Sequence, residues 1–274
     1  EENIDRISVK NGSHLEPALL AGILFAKELS KRLNIPVFPI NHMEGHIFAS
    51  LINKPDDKKE FQKLRDIDFP AIALLISGGH TEIVKMEEYG KYEILGSTVD
   101  DAVGEAFDKV ARMLNLPYPG GPEISKIAEK ARKDNLENKI KLPRPMLHSK
   151  DLTFSFSGLK TAVLYTIKKI ENITQDQISD IAREFENSVT EVLIHKMKKV
   201  LDENEVKTLI IGGGVIANTH IREAFEELAN RNSIPLYLPE PGLTGDNALM
   251  IAIVGTIKPS NDYEGFRAEG NLSF

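Results

Sequence analysis

The residues best suited to chemistry are two histidines in the segment NHMEGH, His42 and His46. The chain has only seven histidines, yet these two are four residues apart, which is about one turn of an α-helix. On a helix they would lie on one face, where two imidazoles can bind one metal ion. A zinc protease is disfavoured, because its HExxH pattern needs glutamate directly after the first histidine and Met43 stands there. The competing interpretation is an ordinary solvated or core pair.

Two apolar segments, LLISGGHTEIV and LIIGGGVIAN, each contain a glycine cluster, and a third cluster lies in YPGGPEI. Successive glycines let the backbone approach a ligand closely and turn its amides toward an anion. Neither of the first two clusters has the spacing of the dinucleotide fingerprint or the lysine of the Walker A pattern. A tight turn without a ligand explains either one alone equally well. Three such turns in one chain favour a nucleotide-like ligand.

Strands that alternate with helices position these segments, and this alternation predicts an α/β fold with largely parallel or mixed sheets. Short apolar runs predict strands in IDRISVKNG, IPVFPI, AIALLISGGHTEIVKM, KYEILGST, VKTLIIGGGVIAN and IPLYLP. Helical periodicity is found in LEPALLAGILFAKELSKRLN, AVGEAFDKVARMLN, EISKIAEKARK, ISDIAREFENSVTEVLIHKMKKVLDEN, THIREAFEELANRN and NALMIAIVGTIK. The charged segment NKPDDKKEFQKLRD is predicted to be a loop.

The composition is that of an ordinary globular protein, with 274 residues, 41% of them hydrophobic and 27% charged. A net charge of -7 argues against general coating of nucleic acid, although a local basic stripe could bind phosphate. There is no cysteine, which excludes thiolate catalysis and suits a cytoplasmic location. The apolar runs are too short to span a bilayer, so no membrane role is expected. The first methionine is Met43, and we expect that the start of the protein is missing.

Seven segments, in this order, resemble the tRNA adenosine threonylcarbamoyltransferases, a family formerly labelled glycoproteases. The resemblance runs from about Ile4 to Lys258. The segments are NHMEGH, ISGGHTEIV, DDAVGEAFDKVARML, YPGGPEI, FSFSGLKTAV, GGGVIAN and GDNALMIA.

The resemblance implies a two-lobed fold of the actin/hexokinase/sugar-kinase type with a ligand in the cleft between the lobes. We expect a first lobe at residues 1–70 and 246–274, incomplete at its N terminus, and a second lobe at residues 71–245. Family members open with a strand hairpin that carries an acidic, hydroxyl-rich phosphate motif, and nothing like it occurs here. The loop NGSHLEP also differs, with Ser13 and His14 where the family prefers proline and glycine.

The implied reaction transfers a threonylcarbamoyl group from threonylcarbamoyl-adenylate to the exocyclic amine of the adenosine beside the tRNA anticodon, releasing AMP. The implied partners are tRNA, the donor with its AMP or ATP moiety, and accessory protein subunits of the modification pathway. The resemblance also implies one divalent metal ion, with iron favoured and zinc the second choice. No residue is predicted to form a covalent intermediate with the substrate, because no cysteine and no Ser/His/Asp order is found.

The site residues follow from the positions that match the family motifs. His42, His46 and Asp246 match its metal ligands. The loop that meets the acyl-phosphate end of the donor matches Leu75, Ile76, Ser77, Gly78 and Gly79. The nucleoside contacts match Asp108, Gly121 and Asn218, and Ser125 is a weaker match.

Simpler roles compete for three of these residues. Asp246 could cap the helix of NALMIA, Asp108 could pair with Arg112 one turn later, and Asn218 could cap the helix of THIREAF. FSFSGLKTAV is predicted to be structural support.

A basic stretch from Lys130 to Lys150 is either a solvated face or a contact for tRNA phosphates. Its cationic members are Lys130, Arg132, Lys133, Lys139, Lys141, Arg144 and Lys150. Two other functions stay open at this point: an ATP-dependent kinase or ATPase of the same fold, and a non-catalytic nucleotide-binding scaffold for partner subunits.

Overall fold

The chain, in a computed structural model, divides into two compact units. Unit 1 comprises Glu1–Asp66 and Pro239–Phe274, and unit 2 comprises Ile67–Leu238. The boundaries expected from the sequence, after residues 70 and 245, lie a few residues further along the chain. The structure describes residues 4–12, 16–53, 64–134, 139–257, 266–270 and 274.

Unit 1 is built on a pair of parallel strands, β1 (Ile7–Lys10) and β2 (Val37–Ile40). Parallel neighbours need a crossover connection, and helix α1 (Glu16–Leu33) provides it. Helix α2 (His42–Ala49) follows β2 after a single residue, and helix α8 (Ala248–Ile257) returns from the far end of the chain.

Helix α8 packs closely against strand β1 at a glycine, Gly255. A Cβ atom at Gly255 would lie 1.8 Å from the Ser8 hydroxyl oxygen, so a larger residue there would force the Ser8 side chain to move. The Arg6 guanidinium adds a hydrogen bond to the Gly255 carbonyl at 3.0 Å. The C-terminal helix is thereby joined to the first strand of the chain.

Unit 2 contains a five-stranded mixed sheet in the order β5-β4-β3-β6-β7. Strand β4 is antiparallel to both β3 and β5, whereas β6 is parallel to both β3 and β7. The two central strands, β3 and β6, are buried along their whole length, which explains their uninterrupted apolar sequences. The strands are β3 (Ala71–Ile76), β4 (Thr81–Glu88), β5 (Lys91–Ser97), β6 (Thr208–Gly212) and β7 (Leu236–Tyr237).

Five α-helices lie in the described part of unit 2, and the longest of them runs through its hydrophobic core. Helix α6 begins with a capping box formed by Thr174 and Gln177. Its Phe185 and Val189 are fully buried in the same cluster as Ile72 and Leu74 of β3. The helices are α3 (Val103–Met113), α4 (Gly120–Lys133), α5 (Ser157–Lys168), α6 (Gln175–Glu203) and α7 (Thr219–Asn232).

The α/β class predicted from the sequence is confirmed, with mixed pairing in the larger sheet. All six predicted helical segments are helical, although α4 begins at Gly120, so the glycines of YPGGPEI open the helix instead of preceding it. Helix α2 bears out the helix assumed for the histidine pair, whereas helix α5 was not predicted. Ser13, His14 and most of the predicted loop NKPDDKKEFQKLRD lie outside the described residues. Within the described part of the chain, no helix has both the length and the apolarity needed to cross a bilayer.

Candidate active site

The histidine pair is presented by α2, a short helix in which every residue is buried. Asn41 begins it, because its side-chain oxygen accepts a hydrogen bond from the Met43 amide at 2.8 Å. His42 is the first residue of the helix and His46 follows one turn later, so both imidazoles lie on the same side of it. Their ring centroids are 4.6 Å apart. An exposed, solvated pair is therefore the wrong interpretation.

Asp246 lies against both imidazoles. Its Oδ1 atom is 3.3 Å from Nε2 of His42 and 3.3 Å from Nε2 of His46. The alternative role for Asp246, capping helix α8, is excluded, because Asn247 caps it: its Oδ1 accepts from the Met250 amide at 2.9 Å. The carboxylate of Asp246 is therefore left to face the histidines.

These three side chains fit a metal ion. One ligand atom from each lies within 4.8 Å of the others. Nitrogen and oxygen ligands held about 2.0–2.2 Å from one ion in tetrahedral geometry lie about 3.3–3.5 Å apart, close to the histidine–aspartate distances. In the described residues, Nε2 of His46 is buried and makes no well-oriented hydrogen bond, although it lies 3.3 Å from Asp246. Because an unpaired buried nitrogen is costly, a bound ion would satisfy an otherwise unfavourable arrangement.

The protonation states suit the same interpretation. The adjacent imidazoles of His42 and His46 hold the pKa of Asp246 well below its usual range, so the carboxylate is ionised. Burial lowers the pKa of His42, which favours the neutral imidazole that a metal requires. Lys10, at the end of β1, lies 3.5 Å from the second oxygen of Asp246 and so compensates part of its charge.

The loop after β3 forms a tight turn whose glycines face open space. The hydroxyl oxygen of Ser77 accepts hydrogen bonds from the amides of Gly79 and His80, at 3.3 and 3.1 Å. A Cβ atom at Gly78 or Gly79 would meet no heavy atom within 4 Å. The side chains of Leu75 and Ile76 are buried in the sheet, so these two residues could contact a ligand only through their backbone.

A cavity of about 420 Å³ opens beside this loop within unit 2. This volume is within the range of small-molecule sites. Among the residues predicted from the sequence, Gly78, Asp108, Gly121 and Asn218 line it, together with Ser125. Gly79, Leu75, Ile76 and Ser77 are not part of its lining. The sequence reasoning missed other lining residues, namely Gly104, Phe107, Lys126, Glu129, Gly214 and Val215.

Asp108 connects two helices at the cavity. Its Oδ1 accepts a hydrogen bond from the Gly120 amide at 2.7 Å, so the carboxylate of α3 holds the first turn of α4. A Cβ atom at Gly120 would lie 2.4 Å from the Ala111 methyl carbon, which explains why glycine begins α4. This close approach brings Gly121 and Asp108 to the same wall. The alternative partner considered for Asp108 was Arg112. The carboxylate instead accepts the hydrogen bond from the Gly120 amide.

Asn218 does cap α7, as the simpler interpretation proposed. Its Oδ1 accepts a hydrogen bond from the Ile221 amide at 3.0 Å. Its side-chain nitrogen also donates to Oε1 of Glu186 at 2.5 Å. Glu186 lies in the middle of α6 with its side chain fully buried, and nothing in the sequence had singled it out.

The segment FSFSGLKTAV is tied to the start of DDAVGEAF. Asp100 accepts hydrogen bonds from the Ser155 hydroxyl at 2.5 Å and from the Phe156 amide at 2.8 Å. Asp101 forms ion pairs with Lys109 and Lys160 at 2.7 and 2.9 Å. Both aspartates therefore serve as anchors, in agreement with the supporting role expected for this segment.

The basic stretch from Lys130 to Lys150 is partly neutralised within unit 2. Arg144 donates to Glu184 at 2.5 Å and to both carboxylate oxygens of Glu191 at 2.7 Å. Arg132 pairs with Glu186, and Lys133 pairs with Glu129. The phosphate contact proposed for the stretch therefore stays a prediction for its lysines, whereas its two arginines already have acidic partners.

We expect Arg144→Met to lower the free energy of unfolding by about 1–2 kcal/mol, because Glu184 is nearly buried and would lose its cationic partner. The exposed Lys141→Met variant is the matched control and should change stability by less than about 0.5 kcal/mol. Urea-induced unfolding followed by circular dichroism measures both. Equal stability of the two variants would show that Arg144 has no structural role.

The fold and the site define an α/β protein of two units, with a nucleoside-sized cavity in one and a His–His–Asp group in the other. A similar fold is found in the crystal structure of HypF from T. kodakarensis, with a TM-score of 0.59. The alignment covers 93% of this chain and 40% of that one at 17% identity, which establishes similarity of fold alone.

The sequence comparisons identify the family. Residues 1–253 match the family model for tRNA N6-adenosine threonylcarbamoyltransferase. A relative with that name from Thermosipho africanus is 46% identical over 256 residues, which are 93% of this chain and 72% of the relative. One from Bacillus subtilis is 46% identical over 257 residues, covering 93% of this chain and 70% of the relative. This chain therefore belongs to the tRNA N6-adenosine threonylcarbamoyltransferase family, a family of transferases.

Proposed function

We propose that this chain transfers the threonylcarbamoyl group of threonylcarbamoyl-adenylate to the exocyclic amine of the adenosine beside the tRNA anticodon. The observation that carries this proposal is the family match over residues 1–253. In this reaction the amine nitrogen forms a bond to the donor's carbonyl carbon, the bond from that carbon to the phosphate oxygen breaks, and AMP leaves. The amine loses one proton. No enzyme nucleophile is needed, which agrees with a chain that has no cysteine.

The cavity in unit 2 is the proposed binding site for the nucleoside part of the donor. Its volume of about 420 Å³ can accommodate an adenosine. We propose that Asp108, Gly121 and Asn218 contact this part. The loop from Leu75 to Gly79 is proposed to meet the acyl-phosphate end, because the open space beside Gly78 and Gly79 leaves room for a ligand to approach the backbone closely.

His42, His46 and Asp246 are proposed to hold one divalent ion. Two imidazoles and one carboxylate suit iron or zinc, and the family resemblance favours iron. When bound, such an ion supplies a fixed positive charge that stabilises negative charge on donor oxygens. The buried α2 keeps both imidazoles in position, and Lys10 orients the aspartate from its other side.

Accessory protein subunits are proposed as partners in addition to tRNA. The support within the structure is an apolar side of α1, on which three large hydrophobic residues are exposed by about half or more: Leu20, Leu24 and Phe25. Apolar groups clustered in this way on a helix surface are typical of protein contacts.

The proposed function is tested by the products formed from the donor. The chain, loaded with iron or zinc, is mixed with threonylcarbamoyl-adenylate and accessory proteins, with or without tRNA, and AMP is measured. We expect AMP release that depends on tRNA. In a parallel reaction with ATP alone, phosphate release at or above that rate would favour an ATPase or kinase. Absence of AMP release with all components present would favour a non-catalytic scaffold.

A further inference from the structure

A fully buried carboxylate stands directly behind the cavity in unit 2. Glu186 accepts a hydrogen bond from Asn218 through Oε1 at 2.5 Å, and its Oε2 lies 2.5 Å from Nη1 of Arg132. The hydroxyl of Ser125 faces the same carboxylate and lowers its pKa. Two of these partners, Asn218 and Ser125, line the cavity. Glu186 itself is absent from the lining.

Burying a charged group is unfavourable, so a position of this kind needs a compensating reason. Burial raises the pKa of Glu186, and the charge of Arg132 opposes that rise. Arg132 is in turn oriented by Asn187, whose side-chain oxygen accepts from Nη2 at 2.6 Å. Arg132 therefore fixes the Glu186 carboxylate in place. The carboxylate oxygens can also interact with the cavity residues Asn218 and Ser125.

The hydrogen bonds to Glu186 determine which atoms the cavity wall presents. Asn218 uses its oxygen to cap α7 and one N–H to reach Glu186, so its amide cannot flip and one N–H remains to donate. Ser125, whose hydroxyl also faces the carboxylate, lies on the same wall. The wall therefore offers one donor of fixed orientation, the remaining N–H of Asn218.

We infer that Glu186 is a positioning residue for nucleotide binding, which sets the side chains of Asn218 and Ser125 in the orientation that receives the nucleoside. The inference rests on the proposed function only in placing a nucleoside in this cavity. It makes no use of the transfer step or of the metal ion.

The test distinguishes a positioning role from a purely stabilising one. In three variants, the Kd for AMP is measured by calorimetry and the melting temperature by thermal unfolding. Glu186→Leu removes every acceptor and should raise the Kd for AMP at least about tenfold. Glu186→Gln keeps an oxygen that can accept from Asn218, and its Kd should stay within about threefold of the parent chain. Arg132→Gln removes the ion pair but leaves the hydrogen bond to Asn218, so it should lower the melting temperature without exceeding that threefold limit.

Equal weakening of AMP binding by Glu186→Leu and Arg132→Gln would overturn the inference, because a merely structural ion pair predicts that result. Unchanged binding in Glu186→Leu would also overturn it. If Glu186→Leu does not fold, Glu186→Asp replaces it, since a carboxylate shorter by one methylene cannot reach both partners and the same tenfold loss is expected. If the parent chain binds no AMP at all, the proposed function fails first, and that outcome is distinguishable from the others.

Discussion

Replacing His46 with glutamine is expected to remove the bound metal ion and to lower the rate of threonylcarbamoyl transfer on the order of 100-fold or more. Substitutions that only disturb the groups around metal ligands already cost about 10- to 100-fold, so loss of a ligand should lie at or beyond that range. Glutamine fills most of the buried volume but lacks the imidazole nitrogen that faces Asp246 at 3.3 Å.

The measurement is metal content by mass spectrometry after loading with iron or zinc, alongside the transfer assay. His195→Gln is the matched control, because His195 is an exposed histidine on α6 and should leave the metal content unchanged. AMP binding should be retained in both variants, since its proposed cavity is formed by residues of unit 2. A His46→Gln protein that keeps one ion per chain would contradict the assignment of the metal ligands.

Replacing Asp108 with alanine is expected to weaken AMP binding by about 1–3 kcal/mol, or about 10- to 100-fold. The change removes a charged acceptor from the cavity and leaves the Gly120 amide without its partner at 2.7 Å. Asp108→Asn keeps an oxygen for that amide and should have an intermediate effect.

Asp134→Ala is the control for Asp108, since Asp134 is an exposed aspartate at the end of α4. Calorimetric titration with AMP measures all three variants. If Asp108→Ala binds AMP as tightly as Asp134→Ala, the carboxylate serves only to join α3 to α4.

Long elements with clear periodicity could be predicted from the sequence, whereas short buried ones could not. Helix α2 has eight residues, all of them buried, so its apolar residues form no one-sided pattern and only the spacing of its two histidines indicated a helix. Helix α5 could not be predicted from the sequence, because it begins with serine and glycine, which are typical of loops. Strand β7 has only two residues, fewer than the apolar run IPLYLP suggested.

The candidate site shows the same division. His42 and His46 were accessible to reasoning because both lie in one short segment with helical spacing. The approach of Asp246 to them depends on α8 packing in unit 1, and local sequence favoured a capping role that Asn247 performs instead. Glu186 could not be found, because a glutamate within a highly charged 29-residue helix reads as part of a solvated face.

The central claim is that this chain, with its metal ion and accessory proteins, modifies adenosine in tRNA. The direct measurement is mass spectrometry of nucleosides from unmodified tRNA after incubation with the metal-loaded chain, accessory proteins and threonylcarbamoyl-adenylate. The relative from Bacillus subtilis serves as the positive control. We predict a threonylcarbamoyladenosine peak with the chain, and no such peak with its His46→Gln variant. A peak only in the control reaction, with the chain folded and metal-loaded, would contradict the account.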